Sequence, residues 1–367
     1  MRVLVTGADG FIGKNLCLKL EENNHNVIKF NREDHDDALD EYTSDVEFIF
    51  HLAGENRPIS DKSFEIVNVG LTRKLVSSLK KNNNKSPIIF SSSIQAVDSS
   101  PYGESKFEAE KVLQSLRGDN GNFIVIYRLP GVFGKWAKPN YNSVVATFCH
   151  NISRNKSITI DDPSKELELV YIDQVIESFL SCIDNPSLND VSFIELEPYT
   201  ISLQHLADTL YSFHESRLNK VIPNVGFGIS HALYATYLTY LPVTESAYTL
   251  EGNKDQRGIF AEVLKTTSSG QFSFFTAKPG ITRGGHYHHS KTEKFIILQG
   301  SALFKFKHII TNESFELSID SDNLHVVDTI PGWVHDITNT GSNDLIVMLW
   351  ANEIFDRNFP DTIAHEI

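Results

Sequence analysis

Hydrophobic and polar positions alternate with one period in the first part of the chain and another in the last. Arg2-Val3-Leu4-Val5-Thr6 is a short buried strand, and the segment after it carries Ile12, Leu16 and Leu20 on one helical face. Apolar runs at Asn26 to Phe30, Glu47 to His51, Pro87 to Phe90 and Phe123 to Tyr127 repeat the strand signal. Helical spacing fills the intervals, from about Phe64 to Lys81 and over 104 to 116, with further helices at 202 to 216 and 230 to 241. Strand and helix in alternation predict a doubly wound parallel sheet covered on both faces. Pro242 to Arg257, with Gly252, Asn253, Lys254 and Asp255, is polar and turn-rich, the place for a joint. Beyond it the apolar runs are short and alternating: Phe272 to Ala277, Lys294 to Leu298, Ala302 to Phe306, Ser314 to Ile319 and Leu345 to Trp350. That pattern predicts an antiparallel double-sheet barrel, so the expected domains are 1–243 and 244–367.

Composition narrows the function classes. A chain of 367 residues can bury two cores. A net charge of -14 argues against nucleic acid and anionic membrane surfaces as partners, so an anionic ligand must be met by local positive groups. Cys17, Cys149 and Cys182 are widely spaced and outside any CxxC pattern, which predicts core thiols rather than a disulfide framework. No run has the length of a signal peptide or a membrane span, so a cytoplasmic, reducing location is expected.

Three stretches of the first domain carry chemistry. Gly7-Ala8-Asp9-Gly10-Phe11-Ile12-Gly13 lies between a strand and a helix, where glycines allow a tight turn and let the helix N-terminus face a pyrophosphate. The second strand ends in Asn31-Arg32, where a dinucleotide fold selecting NAD carries a carboxylate. An arginine there suits a 2'-phosphate, although Asp34 and Asp36 follow, so NADPH is the expected coenzyme. Leu52-Ala53-Gly54 closes the third strand with small residues against which a cofactor can lie. Tyr102 and Lys106 stand four apart on one helix, and a nearby ammonium favours a phenolate. The serines of Phe90-Ser91-Ser92-Ser93 end a strand just upstream.

The barrel holds a different cluster. On a strand, His286 and His288 point to the same face, and Glu293 can return from the neighbouring strand. Two imidazoles and a carboxylate converging in a barrel suit Zn, Ni, Mn or Fe.

The motifs TGADGFIG, HLAG, FSSS and YGESK, with Arg128-Leu129-Pro130-Gly131-Val132-Phe133-Gly134, occur in the order of the extended short-chain dehydrogenase/reductases that modify nucleotide-sugars, and the first 240 or so residues resemble that family. The resemblance implies that Tyr102 is the general acid/base and that Lys106 binds the nicotinamide ribose and tunes it. Ser93 would orient the substrate oxygen, with Ser92 the competing choice, and Asn68 would support the site. It places the cofactor against Gly7, Gly10, Phe11, Ile12, Gly13, Asn31, Arg32, Leu52, Ala53 and Gly54. Lys135-Trp136-Ala137-Lys138-Pro139-Asn140-Tyr141 is either part of a sugar-nucleotide pocket or a solvated loop.

Gly280, five residues, His286-Tyr287-His288, four residues, Glu293, six residues and Gly300 have the spacing of the first motif of the cupins. Ile330-Pro331-Gly332-Trp333-Val334-His335 and Asn339 resemble the second, departing from it at Ile330 and Leu324, and make His335 the fourth ligand. A reductase joined to a metal cupin resembles the bifunctional capsular-polysaccharide UDP-4-keto-sugar epimerase/reductases of UDP-N-acetyl-L-fucosamine synthesis. That resemblance implies C3 epimerisation of a UDP-linked 4-keto-amino-sugar in the cupin, then C4 reduction by NADPH, with Zn2+ the expected metal and a homodimer the expected assembly. A cofactor-binding sensor without chemistry, a sugar-binding cupin and a metal dioxygenase are the other classes open at this point.

Overall fold

The computed structural model describes residues 1–35, 37–57, 60, 62–184, 192–245 and 247–367. They form two compact units: Met1–Leu210 with Ala232–Leu241, and Tyr211–His231 with Pro242–Ile367. Both parts of the expected fold class are present, a doubly wound parallel sheet followed by a double-sheet barrel of cupin type.

In the first unit six strands lie in the order Asn26–Phe30, Arg2–Thr6, Phe48–His51, Ile88–Ser93, Ile124–Leu129, Ser192–Ile194, every neighbouring pair parallel. Strand residues alternate between two faces, so each face buries its own core. Val3, Val5, Phe48, Phe50, Val125 and Tyr127 pack with Leu16 and Leu20 of helix Phe11–Glu22 and Phe179 of helix Ile172–Asp184. Leu4, Ile49, Ile88, Phe90, Ile124 and Ile126 pack on the other side with Leu75 and Leu79 of helix Leu71–Lys81 and with Leu113 and Leu116 of helix Pro101–Asn120. The strand order reverses between Arg2–Thr6 and Phe48–His51. Open parallel sheets bind ligands at such a switch point, beyond the carboxyl ends of the strands.

Three boundaries differ from those the periodicity predicts. Strand Ile88–Ser93 runs past Phe90, so Ser91, Ser92 and Ser93 are themselves paired strand residues. Helix Pro101–Asn120 starts earlier than 104, because Ser100 caps Gly103 N (3.1 Å) and proline suits the first turn. Tyr102 therefore lies within the helix. The helix expected from Phe64 to Lys81 is broken over Glu65–Gly70 by a π-helical segment that contains Asn68, a widening found mostly at functional sites.

In the second unit one sheet runs Val221–Ile222, Gly258–Thr266, Gly270–Ala277, Leu345–Ala351, Glu293–Gln299, Val326–Asp328, with Asn253–Asp255 pairing the second strand. The other runs Ser314–Asp320, Ser301–His308, Trp333–Asn339, Thr282–Tyr287, Ile363–Ala364. Phe275, Phe295, Ile297 and Val347 of the first sheet meet Ala302, Phe304, Phe306 and Ile337 of the second in one core. Among the described residues no helix is long and apolar enough to cross a membrane.

Candidate active site and metal centre

The glycine turn fits the switch point with little room to spare. Gly7 has φ +70°, and a Cβ on it would meet Ala53 Cα at 2.7 Å, so the first turn lies directly against the end of the third strand. A Cβ on Gly13 would meet Gly7 O at 2.2 Å, which holds the start of helix Phe11–Glu22 onto the turn. Thr6 Oγ1 accepts from Ala53 N (3.2 Å) and contacts His51 Nδ1 (2.8 Å), while His51 Nε2 contacts Thr72 Oγ1 (2.9 Å). This buried polar chain fixes the Leu52-Ala53-Gly54 backbone beside the turn. Asn31 Oδ1 accepts from Asp9 N (2.8 Å), tying the second strand end to the same turn. Arg32 is exposed and pairs with Glu55 (2.7 Å), whose other oxygen accepts from the Tyr141 hydroxyl (3.2 Å). Asp34 accepts from Asn31 N (2.7 Å), whereas Asp36 lies outside the described residues. The backbone cradle thus has the open, close-approach form that a dinucleotide needs.

The residues of the expected catalytic set come together across the strand end. Burial pushes the Tyr102 hydroxyl above its ordinary pKa, opposed by a hydrogen bond with Ser93. Lys106 is almost wholly buried, its Nζ donating to Ser91 O (2.9 Å) and lying 5.0 Å from the centre of the Phe90 ring. Burial lowers the ammonium's pKa to about 8, with Glu110 opposing. The Tyr102–Lys106 spacing predicts a phenol depressed by the ammonium; instead desolvation raises the phenol and the amine is engaged by a carbonyl. Asn68 bridges the site: its Nδ2 donates to Glu55 O (3.1 Å) and Ser105 Oγ (2.9 Å), and its Oδ1 accepts from Glu55 N (2.7 Å). A Cβ on Gly54 would meet Lys106 Nζ at 3.0 Å and Asn68 Oδ1 at 3.3 Å, so this glycine leaves space beside both.

One network has no counterpart in the sequence reading. Glu110, fully buried, accepts from Ser92 Oγ (2.5 Å) and takes Arg128 in a two-pronged contact at 3.0 and 2.6 Å. The arginine of the Arg128 to Gly134 motif is therefore a structural partner beneath the serines. Its signal was Glu110, four residues beyond Lys106 on the same helix.

In the barrel, His286, His288, Glu293 and His335 bring their ligand atoms within 4.8 Å of one another. Strand Thr282–Tyr287 supplies His286 and its end supplies His288; Glu293 and His335 come from Glu293–Gln299 and Trp333–Asn339. His286 sits opposite His335 in the strand register. His288 Nδ1 faces the Asp361 carbonyl, a contact that fixes the tautomer leaving Nε2 for the cluster, 3.2 Å from Glu293 Oε2. Both ring nitrogens of His335 are buried without a hydrogen bond, and Nε2 stands 3.5 Å from Glu293 Oε2. Burial, then His335 and His288, lowers the His286 pKa to about 4, so its imidazole is neutral. Despite its burial, the adjoining His288 and His335 rings and the nearby Lys291 hold the Glu293 carboxyl well below the usual carboxylate range. A buried imidazole without a hydrogen bond, beside a carboxylate held ionised and two further histidines, suits a divalent metal.

Residues 3–192 match the NAD dependent epimerase/dehydratase family and residues 253–363 the polysaccharide biosynthesis C-terminal domain. The UDP-2-acetamido-2,6-beta-L-arabino-hexul-4-ose reductase of Pseudomonas aeruginosa is 50% identical over 366 residues, 99% of this chain and 98% of that one. The chain belongs to the NAD dependent epimerase/dehydratase family. Within that family it is similar along its whole length to the capsular polysaccharide assembling protein CapF of Staphylococcus aureus, whose crystal structure superposes with a TM-score of 0.93 at 41% identity and 100% coverage of both chains. The UDP-glucose 4-epimerase of Thermotoga maritima, at 20% identity and a TM-score of 0.57 over 65% of this chain, shares the fold of the dehydrogenase part. Membership of this family implies a nicotinamide cofactor, for which the Gly7 to Gly13 cradle is suited.

Proposed function

We propose that the chain is a bifunctional nucleotide-sugar enzyme of capsule synthesis. Residues 244–367 epimerise UDP-2-acetamido-2,6-dideoxy-L-4-hexulose at C3, and residues 1–243 then reduce C4 with NADPH to the L-talo sugar. The observation that carries the reading is the presence of two complete and chemically distinct clusters, Ser93/Tyr102/Lys106 and His286/His288/Glu293/His335, in a chain 50% identical from end to end to a UDP-hexulose reductase.

In the reductase part NADPH, when bound, supplies the hydride. Tyr102, protonated because its hydroxyl is pushed up by burial, gives its proton to the C4 oxygen, and Ser93 holds that oxygen at the same point. Lys106 carries its ammonium to the nicotinamide ribose, and Asn68 keeps the Glu55 backbone and Ser105 in register around it. Gly7, Gly10, Phe11, Ile12 and Gly13 shape the pyrophosphate turn, Leu52, Ala53 and Gly54 the opposite wall, and Asn31 and Arg32 the adenosine end.

In the barrel the three histidines and Glu293 hold a divalent metal, which supplies Lewis acidity when bound; three nitrogens and one oxygen favour Zn2+. The C4 carbonyl links the two parts, since it acidifies the C3 proton and is also the group that accepts hydride. The chain acts as a homodimer in this reading. The decisive experiment is NMR of the product formed from the UDP-4-keto-sugar with NADPH in D2O. Deuterium at C3 together with an L-talo product is expected; reduction without C3 deuterium removes the epimerase half.

A further inference from the structure

The barrel encloses a cavity of about 300 Å³ whose wall includes His286, Glu293, His335, Lys291, Glu262 and Arg283. All its charged groups are matched but one. Lys291 lies 3.6 Å from Glu293, and Glu262 pairs with Lys265 at 2.9 Å. Arg283 has no carboxylate partner among the described residues, and its Nη2 is buried without a hydrogen bond. The guanidinium is nevertheless held in place: Nε donates to Thr276 O (3.0 Å), and Cζ stands 5.2 Å from the centre of the Phe275 ring. Arg283 is half-buried, so the wall presents one positioned guanidinium with no carboxylate on it, and a charge-assisted hydrogen bond to a ligand anion is the interaction left open to it.

Its position in the cavity narrows what that anion is. In the strand register Arg283 stands opposite Ile337 and His286 opposite His335, and the guanidinium lies over Phe275, which packs on Phe295, the ring that in turn packs on His335. Arg283 therefore belongs to a different part of the wall from the metal donors. In a nucleotide-linked sugar the diphosphate hangs from C1, across the ring from C3 and C4, so a sugar with its reacting carbons toward the histidines directs its diphosphate away from them. A guanidinium fork matches two phosphate oxygens.

We infer that Arg283 is the anchor of the barrel site, binding the diphosphate of a nucleoside-diphosphate sugar while the sugar ring reaches the histidine cluster. The inference rests on the reading that the barrel epimerises such a sugar. The test follows C3 hydrogen exchange in D2O by the full chain, loaded with Zn2+, as a function of UDP-4-keto-sugar concentration. Arg283→Gln raises KM for exchange about 10- to 100-fold, the worth of a charge-assisted hydrogen bond, and leaves kcat within about threefold. The inhibition constant of UDP against exchange rises by the same factor, and Arg283→Lys recovers part of both. An unmoved KM and an unmoved UDP inhibition constant in Arg283→Gln, with wild-type exchange intact, overturn the anchor. A fall in kcat at constant KM also overturns it, since the charge would then act on the reacting oxygen. Wild-type protein that exchanges no C3 hydrogen overturns the epimerase reading itself. Should Arg283→Gln fail to fold, Arg283→Lys decides, because a compact ammonium keeps the charge and loses the fork.

Discussion

The hydroxyl of Ser92 is bound to the Glu110 carboxylate at 2.5 Å, beneath the Arg128 pair, while its neighbour Ser93 lies beside Tyr102 and opposes the rise of its pKa. Adjacent residues of a strand point to opposite faces, so one serine serves the core and the other faces the cleft. Ser93→Ala is expected to lower the rate of C4 reduction about 10²-fold, and Tyr102→Phe about 10²- to 10⁴-fold, with NADPH binding nearly unchanged. Ser92→Ala should instead lower thermal stability, because it removes a partner of a buried carboxylate. Wild-type turnover in Tyr102→Phe, measured as NADPH oxidation, would defeat the reductase assignment.

Coenzyme choice turns on Arg32. The Arg32 side chain is exposed, and Glu55 has other donors in the Tyr141 hydroxyl and the Asn56 and Arg57 amides, so a 2'-phosphate can take the guanidinium over. NADPH should be preferred to NADH in kcat/KM. Arg32→Ala should reduce that preference about tenfold or more, and Glu55→Gln should widen it by freeing the arginine. Equal kcat/KM for the two coenzymes in the wild type would remove the argument.

Lys106 gives a pH-dependent stability with a definite sign. Its folded pKa, about 8, lies below the ordinary lysine value of 10.5 because burial disfavours the ammonium. The folded state thus carries its full penalty below pH 8, and the penalty fades as pH rises from 8 to 10.5, where the unfolded chain binds the extra proton. Lys106→Met should therefore melt higher than the wild type at pH 6–7, by at least about 2–4 °C for each ~1 kcal/mol relieved, with the gap closing toward pH 10.5. The variant should be inactive in reduction. A gap that stays constant over this pH range would show that the ammonium is not the source.

Much of this was legible in the chain, and what was hidden has physical causes. Gly7 and Gly13 could be read from spacing because a strand-to-helix turn with no room for a Cβ admits little else. The period change near Pro242 announced the barrel, and the His286 to Glu293 spacing its donor set. The phase of the two serines could not be read, since strand Ile88–Ser93 runs past its apolar core and only its partners show which hydroxyl is buried. The π-helical turn at Asn68 leaves the apolar pattern intact and so gives no periodic signal. Arg283 carries no motif; its lack of a carboxylate partner among the described residues is a property of the folded cavity alone.

The order of the two reactions follows from where the electrons go. For the proposed pair of reactions, loss of the C3 proton needs the C4 carbonyl as a sink and hydride delivery to C4 destroys that sink, so the expected order is epimerisation before reduction. His335 contributes two buried nitrogens with no hydrogen bond, and His288 is oriented by the Asp361 carbonyl; the proposed metal accounts for both. His288→Ala or His335→Ala should lower bound Zn2+, measured by elemental analysis, and stop deuterium incorporation at C3, while NADPH binding is retained. Tyr102→Phe should show the converse, exchanging C3 hydrogen with D2O while oxidising no NADPH. Chelation with EDTA should reproduce the histidine variants in the wild type and be reversed by added Zn2+. If each variant lost both activities together with its fold and coenzyme binding intact, reduction and epimerisation would share one site, and the assignment of Tyr102 and His335 to separate reactions would fail.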